Sequence, residues 1–493
     1  MKYVIGIDLG TSAVKTVLVD TKGKICAVVS KNYPLLHEKT GYSEQNPEEW
    51  VQQTASALSE LIANANIKPE DIEGISYSGQ MHGLVMLDEN YNLLRNAILW
   101  NDTRTTEQCH HLYKVIGEKR LLKITKNQAL EGFTLPKLLW VKEYEPAIFE
   151  KTAVFMLPKD YLRFKMTGFI HSEYSDAAGT LLLNISKKKW DDELCQLAGI
   201  NINLCPPLVE SSECIGNISE AFSQKNGISH FNETYLQVEL IMLAEQLAPV
   251  FYHQGKHYVV LGHRVLFFLM RNEAIETLYG KVHYFNHGKE NAFYTMGVTL
   301  SAGHSLGWFK DNFAKNVTFE ELLADLKNVP IGSNGLLFTP YLVGERTPHA
   351  DATIRGSFIG MDASHKKRDF TRAVIEVLRF LNESIESSRN EKLRLCYHGE
   401  QMIMLNSSRR FNAKIVKLST EQGPALGAAM LAAYGCGWYK LIGRVCNVFI
   451  TSSKTYYPNA EHVQVYKQLY ELYKEVYLQT NDLSKKLGEF KRK

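Results

Sequence analysis

Two apolar runs open the chain within YVIGIDLGTSAVKTVLVD, residues 3–20, and the small polar triplet Gly10-Thr11-Ser12 separates them. The pattern predicts two strands joined by a tight turn. A third strand is predicted at Ile25–Ser30. From Glu48 to Ala63 the period becomes helical, with Trp50, Val51, Ala55, Leu58 and Leu61 on one face. Ile72–Tyr77 reads as a strand leading into SGQMHG, and Gly83–Leu87 as another. Strands alternating with helices predict an α/β layered fold.

Proline and glycine punctuate Gly132–Pro136, Leu157–Asp160 and Pro206–Pro207, and a domain boundary is predicted near Asn226–Glu233. The tail from Ala460 reads as a charged amphipathic helix. The resulting division is 1–233, 234–440 and a helical tail over 441–493.

Composition narrows the class. The chain has 493 residues, 45% apolar and 22% charged, with a formal net charge of +3. That describes a globular protein long enough for two or three domains. Lys and Arg are scattered rather than striped, which argues against a nucleic-acid partner. Eight cysteines show neither a CxxC pair nor metal-ligand spacing, so a reducing cytoplasm is expected. MKYVIGIDLG lacks the apolar core of a signal peptide, and YVVLGHRVLFFLM is too short to cross a bilayer. No membrane association is expected.

Four motifs carry candidate chemistry. In GIDLGTS, Asp8 ends a strand and the turn follows. A carboxylate there suits Mg²⁺, while turn N–H groups, the hydroxyls of Thr11 and Ser12, and Lys15 suit phosphate oxygens. An ordinary hairpin with a polar turn is the plain alternative. In SGQMHG and ILWNDTR, Gln80, His82, Asp102 and Arg104 stand at strand ends, as a polyhydroxylated ligand requires. A satisfied interior histidine and a helix N-cap at Asp102 are the alternatives. In PYLVGERTPHAD, Glu345 and Arg346 suit an internal ion pair. In EQGPALGAAMLAAYGCG, Gly427, Ala428 and Ala429 form a small-residue face, suited to close packing or to a nucleotide.

Together these motifs, with GFTLPKLLW, MLPKDYLRFKMTG and EYSDAAGT, resemble the FGGY carbohydrate kinases over roughly 1–230, 280–375 and 411–460. QMHG followed by WNDTR is more similar to the family's xylulose-acting branch than to its glycerol kinases or ribulokinases. The resemblance implies two ribonuclease-H-like domains of the actin and sugar-kinase type, with the active site in the cleft between them. It implies transfer of a phosphoryl group from MgATP to D-xylulose, giving D-xylulose 5-phosphate. Met81 and His82 match the pentulose-binding pair, and Gln80, Asp102 and Arg104 join them as substrate-binding residues. Asp8 matches the catalytic carboxylate near Mg²⁺. Thr11, Ser12, Lys15 and Gly427 match the ATP side. The oligomeric state is open, a homodimer being one option.

The family also needs a GGxDN motif whose Asp is the general base, a GTSG turn and a glycine-rich nucleotide segment. VELIMLAEQL stands where the first belongs. One permitted codon choice for Gln237–Met242, regrouped from the last base of Gln237, encodes GGADN. Continued to Arg271, the same frame yields a phosphate turn, CSIGTSGVV, across Val259–Phe267, without a stop codon. Shorter shifted matches lie at Val377–Phe380, Gly399–Ile403 and Asn406–Arg410. The expectation is a kinase reading frame disturbed over 234–273 and about 392–410. In the chain as it stands, Ile241 occupies the base's place, and poor packing is expected over 238–270. Three other readings stay open: a sugar-binding pseudoenzyme, a kinase for another pentulose or polyol, and a different actin-like ATPase that shares only the DLGT turn.

Overall fold

The computed structural model describes residues 1–226, 235–238, 257–261, 265–271, 280, 282–288, 291–301, 303–347, 349, 351, 353–386, 394–397, 414–418, 422–457 and 459–491. The chain forms two compact units. One comprises Met1–Gln254, Met270–Tyr294 and Gln422–Thr451, and the other Gly255–Leu269, Thr295–Glu421 and Ser452–Lys493.

The first unit is built on the predicted hairpin. Strands β1 (Tyr3–Leu9) and β2 (Ala13–Asp20) pair antiparallel, with Leu9 opposite Val14 and Asp8 opposite Lys15. Strand β3 (Ile25–Asn32) continues the meander. Strand β4 (Ile72–Gly79) lies parallel on the other side of β1, and Tyr235–Val238 pairs parallel with β4. Parallel strands need a crossover, and helix α1 (Pro47–Ala65) supplies it between β3 and β4. Asn46 caps α1 by accepting from Glu48 N, and Pro47 fits the first turn. Trp50, Val51, Ala55, Leu58 and Leu61 are all buried, as their spacing predicts. They join Ile5, Ile7, Leu18, Ile75 and Tyr77 in one core.

The opposite face of this sheet is covered by the helix Pro424–Gly435. Its Ala425, Ala429 and Met430 pack with Val4, Val17 and Val19. Gly6 makes the approach possible, because a Cβ there would lie 1.8 Å from Ala425 O. The small-residue face around Gly427 is therefore at least a packing surface. Leu157–Asp160, predicted as a break, instead opens the helix Pro158–Thr167, with proline in the first turn where no N–H is required.

In the second unit the hairpin Leu337–Thr339 with Ser357–Ile359 packs on the helix Lys367–Glu386. Leu306, Phe309, Phe338, Val374, Tyr466, Tyr470 and Tyr473 form its core. The last three come from the predicted tail helix, Ala460–Lys491. Glu376 accepts from Arg372 Nε at 2.7 Å, Tyr466 Oη at 2.7 Å and Ser333 Oγ at 3.0 Å, anchoring that helix.

Ile241 and most of the stretch expected to pack poorly lie outside the described residues. His257–Leu261 and Val265–Arg271 are described, and they pair antiparallel with Leu261 opposite Val265. Among the described residues, no helix is long and apolar enough to cross a membrane.

Candidate functional site

Asp8 sits at the end of β1. Its Oδ1 is sealed from solvent and has no hydrogen-bond partner among the described residues. Burial pushes the Asp8 carboxyl up to about 6, against the pull of Lys15. A buried, uncompensated carboxylate oxygen is unfavourable by itself. It suits a hard divalent cation, which takes oxygen ligands. The turn beside it is fixed from several sides. Gly10 N donates to Ala13 O at 3.0 Å, Tyr33 N donates to Ser12 O at 3.2 Å, and the Tyr33 hydroxyl donates to Gly10 O. Trp100 Nε1 donates to Thr11 Oγ1 at 2.9 Å. Ser12 is exposed at the tip, with Thr11 and Lys15 half-buried.

The SGQMHG segment leaves β4 next to this turn. Gln80 N donates to Leu9 O at 2.8 Å. Its side chain is tied to Gln45, a residue the sequence motifs did not mark. Gln45 Oε1 accepts from Gln80 Nε2 at 3.1 Å and Trp50 Nε1 at 3.0 Å, and Gln45 Nε2 donates to Thr11 O at 2.7 Å.

His82 adopts a left-handed backbone, φ 63°, which is uncommon for a residue with a Cβ. Its Nδ1 meets Gly179 O at 2.7 Å. The ring lies 4.6 Å from that of Phe133 and 6.1 Å from that of Phe285. Gly179 forms the floor beneath it. A Cβ there would fall 2.5 Å from His82 Nδ1 and 3.6 Å from the Met81 methyl. Gly179 belongs to EYSDAAGT, whose Glu173 accepts from Ser175 N at 2.8 Å and Asp176 N at 2.7 Å. Lys159 Nζ stands 3.2 Å from Glu173, 3.2 Å from Asp176 and 3.3 Å from Asp160, all fully buried. Burial pushes the Asp176 carboxyl up to about 8 despite Lys159. This acidic cluster sets the loop that carries Gly179.

Asp102 and Arg104 are brought to each other. Asp102 Oδ1 accepts from Arg104 Nε at 2.9 Å, and Oδ2 accepts from Arg104 Nη2 at 2.7 Å and Ser43 N at 2.6 Å. Arg104 Nη1 also reaches Glu44 at 2.8 Å, and the guanidinium lies over the rings of Tyr42 and Trp140. The nearest helix N-cap is Thr105, not Asp102. In the second unit, Glu345 Oε1 accepts from the backbone N–H groups of Arg346 at 2.8 Å and Leu300 at 3.1 Å.

Gln45, Phe133, Gly179 and Phe285 escaped the motif reading. Gly179 and Phe133 lie inside quoted motifs, EYSDAAGT and GFTLPKLLW, and carried that much sequence signal. The others meet the site through contacts distant in sequence.

The N-terminal domain model of the FGGY family of carbohydrate kinases matches residues 3–231, and the C-terminal domain model matches 258–381. A xylulose kinase of Bacillus subtilis (strain 168) is 52% identical, with all of both chains covered. The crystal structure of ligand-bound xylulose kinase from Lactobacillus acidophilus superposes with a TM-score of 0.92 at 26% identity, covering 99% of this chain and 100% of that one. A gluconate kinase from Lactobacillus acidophilus is similar too, at a TM-score of 0.91 and 26% identity over 99% of each chain. The two-unit α/β architecture is thus that of a sugar kinase, and the chain belongs to the FGGY family of carbohydrate kinases.

Proposed function

We propose that the protein phosphorylates D-xylulose to D-xylulose 5-phosphate, with ATP and Mg²⁺ as cosubstrate and metal. The observation that carries the reading is the Met81–His82 pair in its aromatic surround, just beyond the end of β4, where the Gln80 side chain is tied through Gln45 to Thr11 O of the Gly-Thr-Ser turn. The end-to-end likeness to the Bacillus subtilis xylulose kinase supports the choice of acceptor. Gln80, Met81 and His82 take the sugar side, and Asp102 and Arg104 complete the substrate set. Thr11, Ser12 and Lys15 take the phosphate side, with Gly427 near the nucleotide. Sugar recognition then falls within residues 1–233 and nucleotide binding within 234–440. A cytoplasmic location follows from the chemistry, which draws on ATP. A homodimer stays compatible with the reading.

Phosphoryl transfer depends on positioning and charge neutralisation rather than on covalent catalysis. The sugar hydroxyl oxygen forms a bond to the γ-phosphorus, the bond from that phosphorus to the β–γ bridging oxygen breaks, and the hydroxyl proton leaves for a base. Asp8 fits the metal, since its Oδ1 lacks a partner among the described residues. When bound, Mg²⁺ neutralises charge on the phosphate oxygens. The backbone of the turn orients phosphate, and His82 and Met81 orient the sugar, which makes the reaction effectively unimolecular.

A second reading holds for the chain as it stands. Ile241 lies in the 232–257 stretch that neither family match covers, where the base belongs. Loss of a positioned base lowers the rate by roughly 10²–10⁴-fold, leaving sugar binding with little turnover. The shifted frame accounts for the loss.

Coupled ADP release measured with D-xylulose, D-ribulose and glycerol, alongside sugar binding by calorimetry, tests both readings. Turnover stimulated most by D-xylulose supports the kinase. Binding without turnover supports the pseudoenzyme. Sugar-independent turnover rejects both. Resequencing and an intact mass decide the frame, which an uninterrupted gene encoding VELIMLAEQL would refute.

A further inference from the structure

The helix Thr134–Tyr144 begins beside His82 and buries Lys137 completely. A lysine in such a place is usually matched by a carboxylate. Here its hydrogen bonds go to carbonyls. Nζ donates to Phe133 O at 3.0 Å, to His82 O at 3.2 Å and to Gly132 O. Three ammonium donors thus meet three acceptors. Thr134 Oγ1 donates to the same His82 oxygen at 3.1 Å. Two donors from the first turn of one helix therefore converge on the carbonyl of the residue with the left-handed backbone.

That conformation costs a residue with a Cβ about 1–2 kcal/mol and persists where its surroundings over-determine it. The Gly179 carbonyl holds the ring, and Lys137 with Thr134 holds the main chain. Burial pulls the Lys137 ammonium down to about 7, with Asp102 the leading charge opposing the shift. The lysine is therefore maintained against a desolvation penalty that a neutral packing residue would avoid.

We propose that Lys137 is a positioning residue for the sugar: together with Thr134 it fixes the His82 carbonyl, and so the direction in which Met81 and His82 present their side chains. This rests on the reading that His82 contacts the sugar.

The test is calorimetric binding of D-xylulose and of a non-hydrolysable ATP analogue to the full chain. Wild type is compared with Lys137→Met, Thr134→Val, Thr134→Ser and His82→Ala. Removing hydrogen bonds of this kind predicts a loss of about tenfold in sugar affinity for Lys137→Met and roughly three- to tenfold for Thr134→Val. Thr134→Ser keeps the hydroxyl and stays near wild type. Nucleotide affinity stays unchanged in all four. If Lys137→Met fails to fold, Thr134→Val against Thr134→Ser carries the comparison. Unchanged sugar affinity in folded Lys137 and Thr134 variants, with weakened binding in His82→Ala, overturns the proposal and leaves the sugar site standing. Parallel loss of sugar and nucleotide affinity also overturns it, as a general structural role. Unchanged sugar affinity in His82→Ala removes the sugar reading and the proposal with it.

Discussion

Gln80 Nε2 donates to Gln45 Oε1 at 3.1 Å, and Gln45 Nε2 donates onward to Thr11 O at 2.7 Å. One buried amide thereby bonds the SGQMHG segment to the Gly-Thr-Ser turn. Trp50 Nε1 on α1 shares the same acceptor. Replacing Gln45 with Leu leaves Thr11 O, Gln80 Nε2 and Trp50 Nε1 without this partner. Unmatched buried polar groups are unfavourable by about 1–3 kcal/mol each before relaxation. The expected loss is about 3 kcal/mol in urea unfolding, with weaker binding of both sugar and nucleotide. A variant that loses affinity for neither ligand would show that the link carries no functional coupling.

Gly179 tests the floor of the His82 pocket more locally. Its absent Cβ leaves room for the imidazole, which would otherwise be met at 2.5 Å. Gly179→Ala is expected to displace the ring and weaken D-xylulose binding by about tenfold or more, at roughly 1–3 kcal/mol of overpacking strain. Calorimetry on the folded variant decides it, and wild-type sugar affinity would contradict the placement of His82.

Asp8 should trade stability for function. Its folded pKa of about 6 lies above the ordinary 3.8, because burial disfavours the charge. The native state then binds more protons than the unfolded chain between those values, so stability falls as pH rises from about 4 to 6. Asp8→Asn removes that penalty. It should be up to about 3 kcal/mol more stable than wild type at pH 7 without metal, yet inactive. Added Mg²⁺ should raise the melting temperature of wild type only. Equal Mg²⁺ responses in both proteins would rule out Asp8 as a ligand.

Glu345 makes a pH prediction for the second unit. Burial pushes its carboxyl up from 4.5 to about 8, against the N–H groups of Arg346 and Leu300. Its contribution is complete below about pH 4.5 and is lost as pH rises through 8. Wild type should therefore lose thermal stability between pH 5 and 8 relative to Glu345→Gln, which keeps the hydrogen-bonding shape without the charge. Parallel melting curves for the two proteins across that range would refute the assignment.

The local elements were legible because their signals are local. The β1–β2 hairpin, the buried face of α1 and the strand feeding SGQMHG follow from residue periods within one element. The tail helix was legible for the same reason. Pro158 misled because proline reads as a break unless its place at a helix start is recognised. The support for His82 was hidden for another reason. It is made by carbonyls and by an absent Cβ, and Gly179 lies 97 residues from His82. Main-chain acceptors leave no trace in residue type. Gln45 stayed hidden too, since an isolated glutamine ahead of a helix announces nothing until three distant segments are seen to use it.

The close seat of Ala425 on Gly6 has a consequence for biosynthesis. Once β1 has left the ribosome it keeps one face uncovered until a helix more than 400 residues later has emerged. At about 5–20 residues per second, that interval is roughly 20–80 s. During it Val4, Val17 and Val19 form an open apolar surface on a nascent chain. Any truncated product that stops before Pro424 keeps that surface for life, which makes early termination a route to aggregation as well as to lost activity.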